Sequence, residues 1–533
     1  MRIIKNNIFQ FLKNTSVVFS LIILSALFFS FANPGFIFSD GISFFGWIYY
    51  IPVLFIVKKC SFKSIFFAGG AYGALSYGLY VHWLKNFNPI GLTAACIAYF
   101  FILGFVFLLL KFSELRFGKS AWIIQSLVLA SYEYLKTLGF AGFGYGVTAY
   151  TQWQMLWLIQ ICSFAGVFGL NFIMIFTQCA LFSFIKFHDK KSAGKFLLCL
   201  FFVLLNVIFG AYKVNQYDKE KYENTVTVCA VQNNENPWKN GIEEYSKNIE
   251  ILKQLTDKAF SENNEIQLVV WPETAVVPSI MFHYEHRTDE RRYIVVKKLL
   301  EYINKKNFSF VIGNNHEVML SGLSDRARYN SVLFFEPGRN VIPPEPEIYS
   351  KQHLVPFTEC FPLKNIFPRV YQKLLNGDTH MWEAGTEPYV FECESLKFST
   401  PVCFEDNFGD ICRNMALNGA DCFINLSNDS WSGSLACQKQ HLAMAVFRSV
   451  ENALSSVRST SSGQTCIINR NGKIEVQAEP FCRTYITGKI NVNPYKKKTF
   501  FTKTGNIFGT VPVIVLFVLL IMNIITGIIK KYR

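Results

Sequence analysis

The chain has 533 residues, 51% of them hydrophobic, and a mean hydropathy of +0.23. That is too apolar for an ordinary soluble protein and long enough for a membrane part plus a globular domain. A net charge of +14 would suit a nucleic-acid partner, but the basic residues gather beside apolar runs, which points to membrane topology and contact with anionic lipid instead.

Eight runs are long and apolar enough to be read as membrane spans: 16–32, 42–57, 64–84, 90–112, 121–138, 163–187, 195–213 and 507–528. Residues 154–162 read as an interfacial or re-entrant piece. The first run starts basic and ends in Ser30-Phe31-Ala32, a pattern shared with removable signal peptides; the eight-span reading retains it. Flanks on the side of both termini, from Arg2, Lys5 and Lys13 to Lys530, Lys531 and Arg533, carry 16 basic residues against Glu114 and Asp189. That excess equals the net charge of the whole chain, whereas the short loops opposite hold only Lys85 and Lys136. Both termini are therefore expected in the cytoplasm and the long segment after the seventh span outside it. The expected division is 1–214 as a seven-span bundle, 215–505 as an extracytoplasmic domain and 506–533 as a last span.

Within the outer segment, Val226, Val228 and Ala230 alternate along a strand over Thr225 to Val231. Tyr245, Ile249, Leu252, Leu255 and Ala259 then follow helical spacing. Further strands are expected at Ile266–Trp271, Phe308–Gly313, Ser331–Phe335, Phe398–Cys403, Cys422–Ser427 and Thr465–Asn469, and helices at Thr288–Asn304 and Gln438–Leu454. This alternation predicts a layered domain of sheets and helices. Phe357 to Trp382, dense in proline and aromatics, reads as a loop or lid. On apolar content, Phe367–Trp382 and Ile280–Tyr284 are expected to touch the membrane. Nine of the fourteen cysteines lie in the outer segment, so at least one thiol there lacks an intramolecular partner. No pair of CxxC motifs has zinc spacing, and neither metal nor cofactor is expected.

Three motifs at or just past strand ends carry the chemistry, where open sheets present their ligand sites. In Trp271-Pro272-Glu273-Thr274 the apolar neighbours would raise the carboxylate's pKa toward that of a useful general base. Lys351 precedes the apolar stretch His353-Leu354-Val355-Pro356-Phe357, where an ammonium needs an acidic partner, and Glu359 could supply it. Cys403, in Pro401-Val402-Cys403-Phe404-Glu405, would leave the sheet at a turn. Taken singly, these are also a strand-end glutamate, a loop lysine and a small buried thiol. Taken together, they are the base, oxyanion partner and nucleophile of acyl transfer, with the Phe404 N–H as a second oxyanion donor. His353 reads as structural.

Trp-Pro-Glu, Lys-x-His-Leu-Val-Pro-Phe and Cys-Phe-Glu resemble the Glu-Lys-Cys triad of the nitrilase, or carbon-nitrogen hydrolase, superfamily. With seven spans before the domain and one after it, the chain resembles the apolipoprotein N-acyltransferases. The likeness extends through Asn425-Leu426-Ser427-Asn428-Asp429-Ser430-Trp431 and Gln440-His441-Leu442 to Arg448, Glu451 and Arg458. It implies an α+β protein, a helical membrane bundle carrying an αββα sandwich. Glu273 would be base, Lys351 oxyanion stabiliser and Cys403 nucleophile, with Glu359, Glu405, Phe404 and Trp238 in support. It further implies a phospholipid donor, typically phosphatidylethanolamine, a cysteine thioester, a diacylglyceryl-lipoprotein acceptor, residence in the bacterial inner membrane and a monomer. Two departures stand out: Phe404 replaces the family's usual tyrosine, and Thr358 its glycine before Glu359. A membrane-tethered amidase or nitrilase, and a transport or scaffold protein without catalysis, are the competing readings.

Overall fold

Apolar runs in hydrocarbon fold as helices because only internal hydrogen bonds can satisfy their backbone. A computed structural model describes all residues except 1, 88, 221–223, 323–324, 362, 376–380, 493–496 and 533. The chain divides into two units, one of residues 1–216, 434–443 and 504–533, the other of residues 217–433 and 444–503.

In the first unit, five described stretches are long and apolar enough to cross a membrane: Thr15–Ala32, Pro89–Leu135, Cys162–Phe187, Lys190–Lys219 and Ile507–Thr526. The second of these is two helices, Pro89–Phe117 and Ala121–Leu135, divided by a tight turn in which Gly118 takes φ 52°. The expected span at 42–57 is not one helix. It is a 3-10 turn, Ser43–Trp47, followed by the helix Tyr50–Lys59. Ten helical residues rise only about 15 Å, half a hydrocarbon core. The expected span at 64–84 is the helix Ile65–Tyr80. Residues 154–162 hold a single turn, Leu156–Ile159, and Gly166 at φ 65° kinks the helix after it.

Small residues let two of these helices meet. A Cβ on Gly73 would lie 2.2 Å from the Tyr99 carbonyl oxygen, and one on Gly69 2.5 Å from the Phe107 ring. Glu133 is fully buried, and its carboxylate accepts hydrogen bonds from Tyr50 Oη at 2.5 Å, Thr148 Oγ1 at 2.6 Å and Tyr49 Oη at 3.2 Å, and from the Thr148 N–H at 2.8 Å. Those four donors account for the one acid inside an expected span.

The second unit is mixed α+β. Strands β1 (Thr225–Gln232), β2 (Leu268–Val276), β3 (Ser309–Gly322), β4 (Asp325–Phe335) and β5 (Glu347–Ser350) pair in sequence order. A second sheet pairs β6 (Phe391–Cys393), β7 (Leu396–Ser399), β8 (Cys422–Ser427), β9 (Ser455–Thr460), β10 (Cys466–Ile468) and β11 (Ile474–Gln477). β12 (Thr484–Asn491) returns to pair antiparallel with β1. β1, β2 and β3 run parallel, as do β7, β8 and β9.

Alternation decides which side chains face which layer. Val226, Val228, Ala230, Leu268 and Val270 meet Ile424, Leu426 and Val457 between the sheets. Their neighbours Cys229, Val231, Val269 and Trp271 pack outward against Ile249 and Leu252 of helix Ile242–Glu262 and Leu299 and Ile303 of helix Glu290–Asn304. The outer face of the other sheet is covered by helices Gly409–Leu417 and Leu435–Asn452, where Ser449 Oγ meets Ser456 Oγ at 2.6 Å. Helices outside two facing sheets make the αββα sandwich. Ser459 on β9 clamps the sheets, donating to the carbonyls of Val231 at 2.8 Å and Val270 at 3.1 Å.

One expected strand is shorter than its sequence reading. The strand expected over Phe398–Cys403 stops at Ser399, because Thr400 and Pro401 begin the approach to a turn and proline cannot donate to a ladder. In the stretch expected to touch the membrane, Ile280 and Phe282 of the helix Ile280–His286 are 0% and 3% exposed, while Met281 and Tyr284 are half-buried. The stretch expected as a loop or lid contains the helix Pro368–Leu375; residues 376–380 of it lie outside the described residues. All fourteen cysteines are described and none is in a disulfide.

Candidate active site

Glu273 does not stand at a strand end. It sits in a bulge of β2, between the pairs Trp271↔Ile312 and Val276↔Asn314, and Thr274 beside it takes φ 48°. A bulge re-aims a side chain at the cost of ladder bonds. Gly313 opposite makes room, since a Cβ there would fall 2.3 Å from the Pro272 carbonyl oxygen. Lys351 directly follows β5, its N–H donating to the Asn330 carbonyl at 2.9 Å and its carbonyl accepting from Gly385 at 2.8 Å. Cys403 opens a 3-10 turn, Cys403–Asn407, with φ 49°. Such a conformation costs a non-glycine residue about 1–3 kcal/mol and clusters at functional sites.

The three side chains converge. Lys351, 0% exposed, places Nζ 2.9 Å from Glu359 Oε1 and 3.4 Å from Glu273 Oε1. Asn330 Nδ2 donates to Glu273 Oε1 at 2.7 Å, and the Val355 N–H to Glu359 Oε2 at 2.7 Å. The Cys403 thiol and the Glu273 carboxylate act on each other's proton affinity. Burial pushes the Glu273 carboxyl up, opposed by the Lys351 ammonium and helped by Glu359. Burial also pushes the Cys403 thiol up, as does Glu273, while Lys351 pulls it down. Burial disfavours the charge of Lys351, but Glu359 and then Glu273 outweigh it and hold the ammonium above its ordinary range. At neutral pH the cluster is thus a protonated thiol beside a base of raised pKa and a fixed cation.

Glu405 joins the Lys351 loop to the Cys403 turn. Its buried carboxylate accepts from Tyr349 Oη at 2.9 Å and from the N–H groups of Gln352 at 2.7 Å, His353 at 3.0 Å and Val402 at 2.7 Å. The His353 ring lies 3.9 Å from that of Phe408, which also meets the Phe404 ring edge-on at 5.0 Å. Phe404 therefore supplies packing where a tyrosine would add a hydroxyl. Phe357, not Thr358, carries the left-handed backbone of its loop at φ 63°, so the loop needs no glycine at 358. Trp238 stands in the loop after β1, 53% exposed.

Sequence reasoning missed several supports. Asn330 holds Glu273, and Asn425 Nδ2 donates to the carbonyls of Pro401 at 2.9 Å and Cys403 at 3.3 Å. Arg458 pairs with Asp406 within the nucleophile turn, while Arg448 pairs with Glu451 at 2.9 Å and donates to the Asn407 carbonyl at 3.1 Å. Arg448, Glu451 and Arg458 were visible as a motif, and Arg448 and Glu451 stand three residues apart on one helix; the Asp406 partner of Arg458 was not, because it lies 52 residues away.

Residues 227–497 match the carbon-nitrogen hydrolase family and residues 16–180 the apolipoprotein N-acyltransferase N-terminal domain. The chain is 36% identical to apolipoprotein N-acyltransferase 1 of Treponema denticola over 98% of its own length and 99% of that protein's. Identity is 38% to apolipoprotein N-acyltransferase 1 of Treponema pallidum, covering 87% of this chain and 88% of the relative. It is 26% to the apolipoprotein N-acyltransferase of Borreliella burgdorferi, covering 92% of each. With both of its regions matched and near-complete relatives above 30% identity, the chain belongs to the apolipoprotein N-acyltransferase family.

Proposed function

We propose that the protein transfers an acyl chain from a phospholipid, through a thioester on Cys403, to the α-amino group of the diacylglyceryl-cysteine that begins a lipoprotein. Family membership carries the overall reaction; the cluster of Glu273, Lys351, Glu359 and Cys403 supports the assignment of roles. In the first half, Glu273 takes the thiol proton as Sγ attacks the donor ester carbonyl. The tetrahedral oxyanion forms beside the Lys351 ammonium and the Phe404 N–H. Its collapse expels the lysophospholipid oxygen, which takes the proton back from Glu273. In the second half, the acceptor amine attacks the thioester carbonyl, the C–S bond breaks and the amine's proton returns to the thiol through Glu273.

Further parts of this reading are phosphatidylethanolamine as donor, an inner-membrane enzyme with cytoplasmic termini and an external catalytic domain, and a working monomer. The basic flanks support the orientation. Phe357, Ile366, Phe367 and Val370, 48–67% exposed, support a strap that meets lipid. The reading is tested by incubating purified protein with a diacylated lipopeptide in phosphatidylethanolamine vesicles and following the peptide by mass spectrometry. A gain of one fatty acyl group is expected. Release of ammonia from small amides with no acylation would support the amidase reading in its place.

A further inference from the structure

The acceptor presents a cation to a site whose own machinery is arranged for an ester. An α-ammonium cannot attack a thioester until it loses a proton, and Glu273, once it has served Cys403, stands against Lys351. Outside the triad, Glu235 is a carboxylate of the same domain that is held by amides and by no cation. Glu235, half-buried in the loop after β1, accepts from Asn428 Nδ2 at 3.2 Å on one oxygen and from Asn248 Nδ2 at 3.1 Å and Asn233 Nδ2 at 3.3 Å on the other. Those partners come from three directions: its own loop, helix Ile242–Glu262 and the turn after β8. None is charged, and among the described residues no lysine, arginine or histidine pairs with it.

Its location is informative. β1 and β2 run parallel, so the loop holding Glu235 and the bulge holding Glu273 lie toward the same edge of the sheet. Asn428 is followed by Asp429, whose charge acts on the Cys403 thiol, while the Glu235 and Glu273 charges act on each other. The exposed Trp238 belongs to the same loop.

Resting on the thioester reading above, we infer that Glu235 binds the α-ammonium of the acceptor and accepts its first proton, making Glu235 a catalytic residue of the second half-reaction. The step balances: the ammonium gives one proton to the Glu235 carboxylate, the freed amine attacks the thioester carbonyl, the C–S bond breaks, and the second proton passes to the Cys403 sulfur. Amide, thiol and protonated Glu235 result. Burial raises the Glu235 carboxyl to about 7, with Glu244 and Glu273 adding to the rise and the Asn233 and Asn428 amides opposing it. An α-amino group titrates at about 7.7–8.0, so the transfer is nearly level in energy, whereas an ordinary glutamate at about 4.3 would be a poor base for it.

The test separates the half-reactions. Wild-type, Glu235→Gln and Glu235→Asp full-length proteins are acylated in phosphatidylethanolamine vesicles, the adduct is quantified, and a diacylated lipopeptide or hydroxylamine, largely uncharged at neutral pH, is then added. Adduct formation and its discharge by hydroxylamine are expected to stay within about twofold of wild type for Glu235→Gln. In Glu235→Gln, transfer to the lipopeptide is expected to fall about 100-fold at neutral pH and its acidic limb to move up from about 7 to the amine's own value of about 7.7–8.0, with Glu235→Asp recovering part of the rate. Equal loss with both acceptors, or lipopeptide transfer at the wild-type rate and pH profile, would overturn the inference. A wild-type protein that forms no adduct would contradict the thioester reading itself, and the inference falls with it.

Discussion

Lys351 sets the electrostatics of the site because it is a fully buried cation facing two carboxylates. Replacing it with methionine leaves Glu273 and Glu359 facing each other without a cation, and truncating one member of a buried charge network typically costs about 3–5 kcal/mol. Lys351→Met is therefore expected to lose activity and also to unfold at lower denaturant, read by urea titration. The folded pKa of Lys351 is raised, so this contribution is complete below about pH 10.4 and fades only as pH climbs through the folded value. Glu273→Gln keeps the shape but removes the base, and a loss of about 10²–10⁴ in thioester formation is expected, with little change in unfolding. Glu273 is also raised, so thioester formation is expected to fall as pH drops through a value above the ordinary 4.3 for glutamate. A rate profile unchanged in Glu273→Gln would contradict its role. The triad was legible in sequence because each member sits in a short local motif. Asn330 and Glu235 were not, because what marks them is a partner 57 or 193 residues away.

At the scale of elements, the close meeting of helices Ile65–Tyr80 and Pro89–Phe117 depends on Gly69 and Gly73. Gly73→Leu would push a side chain into the Tyr99 backbone and is expected to lower the thermal midpoint of the detergent-solubilised protein, whereas Gly91→Ala, with nothing within 4 Å of its Cβ, is expected to cost far less. The strap before Pro368 is read by Ile366→Glu with Phe367→Glu. Acylation from vesicles is expected to drop several-fold while acylation from donor dissolved in detergent holds, and an equal drop in both would remove the strap from lipid contact. Strands such as β1 and β8 were legible because alternating or continuous apolar runs are strong signals. β5, β6 and β7, only three or four residues long, carry too little pattern to announce themselves. The bulge at Glu273 was hidden because Pro272 and Glu273 mark the expected strand as ending at Trp271, whereas β2 runs on to Val276. The 42–57 run misled because apolar content counts residues, not whether Gly46 and Pro52 let them form one helix.

Over the whole molecule, the charge of +14 is accounted for by the flanks of apolar runs, which leaves the remainder nearly neutral. This favours a domain that meets a neutral or zwitterionic lipid without help from a basic surface. Cysteine-free protein carrying single cysteines in the 33–41 or 186–191 loop would report orientation, with labelling by an impermeant maleimide from outside expected at the first and not at the second. The architecture of two matched regions was legible because membrane helices and an αββα domain have opposite hydropathy patterns. That the division into units falls within the helix Leu435–Asn452 was not, because no pattern along one helix tells which residues cluster with which part.

The central claim is that the acyl chain pauses on Cys403. The most direct measurement is the mass of the intact protein, then of the peptide containing residue 403, after incubation with phosphatidylethanolamine vesicles and no acceptor. The account predicts one added acyl group on Cys403 in the wild type, removed by hydroxylamine, discharged by a diacylated lipopeptide and missing from Cys403→Ala. Lipopeptide acylation that continues undiminished in Cys403→Ala would contradict it.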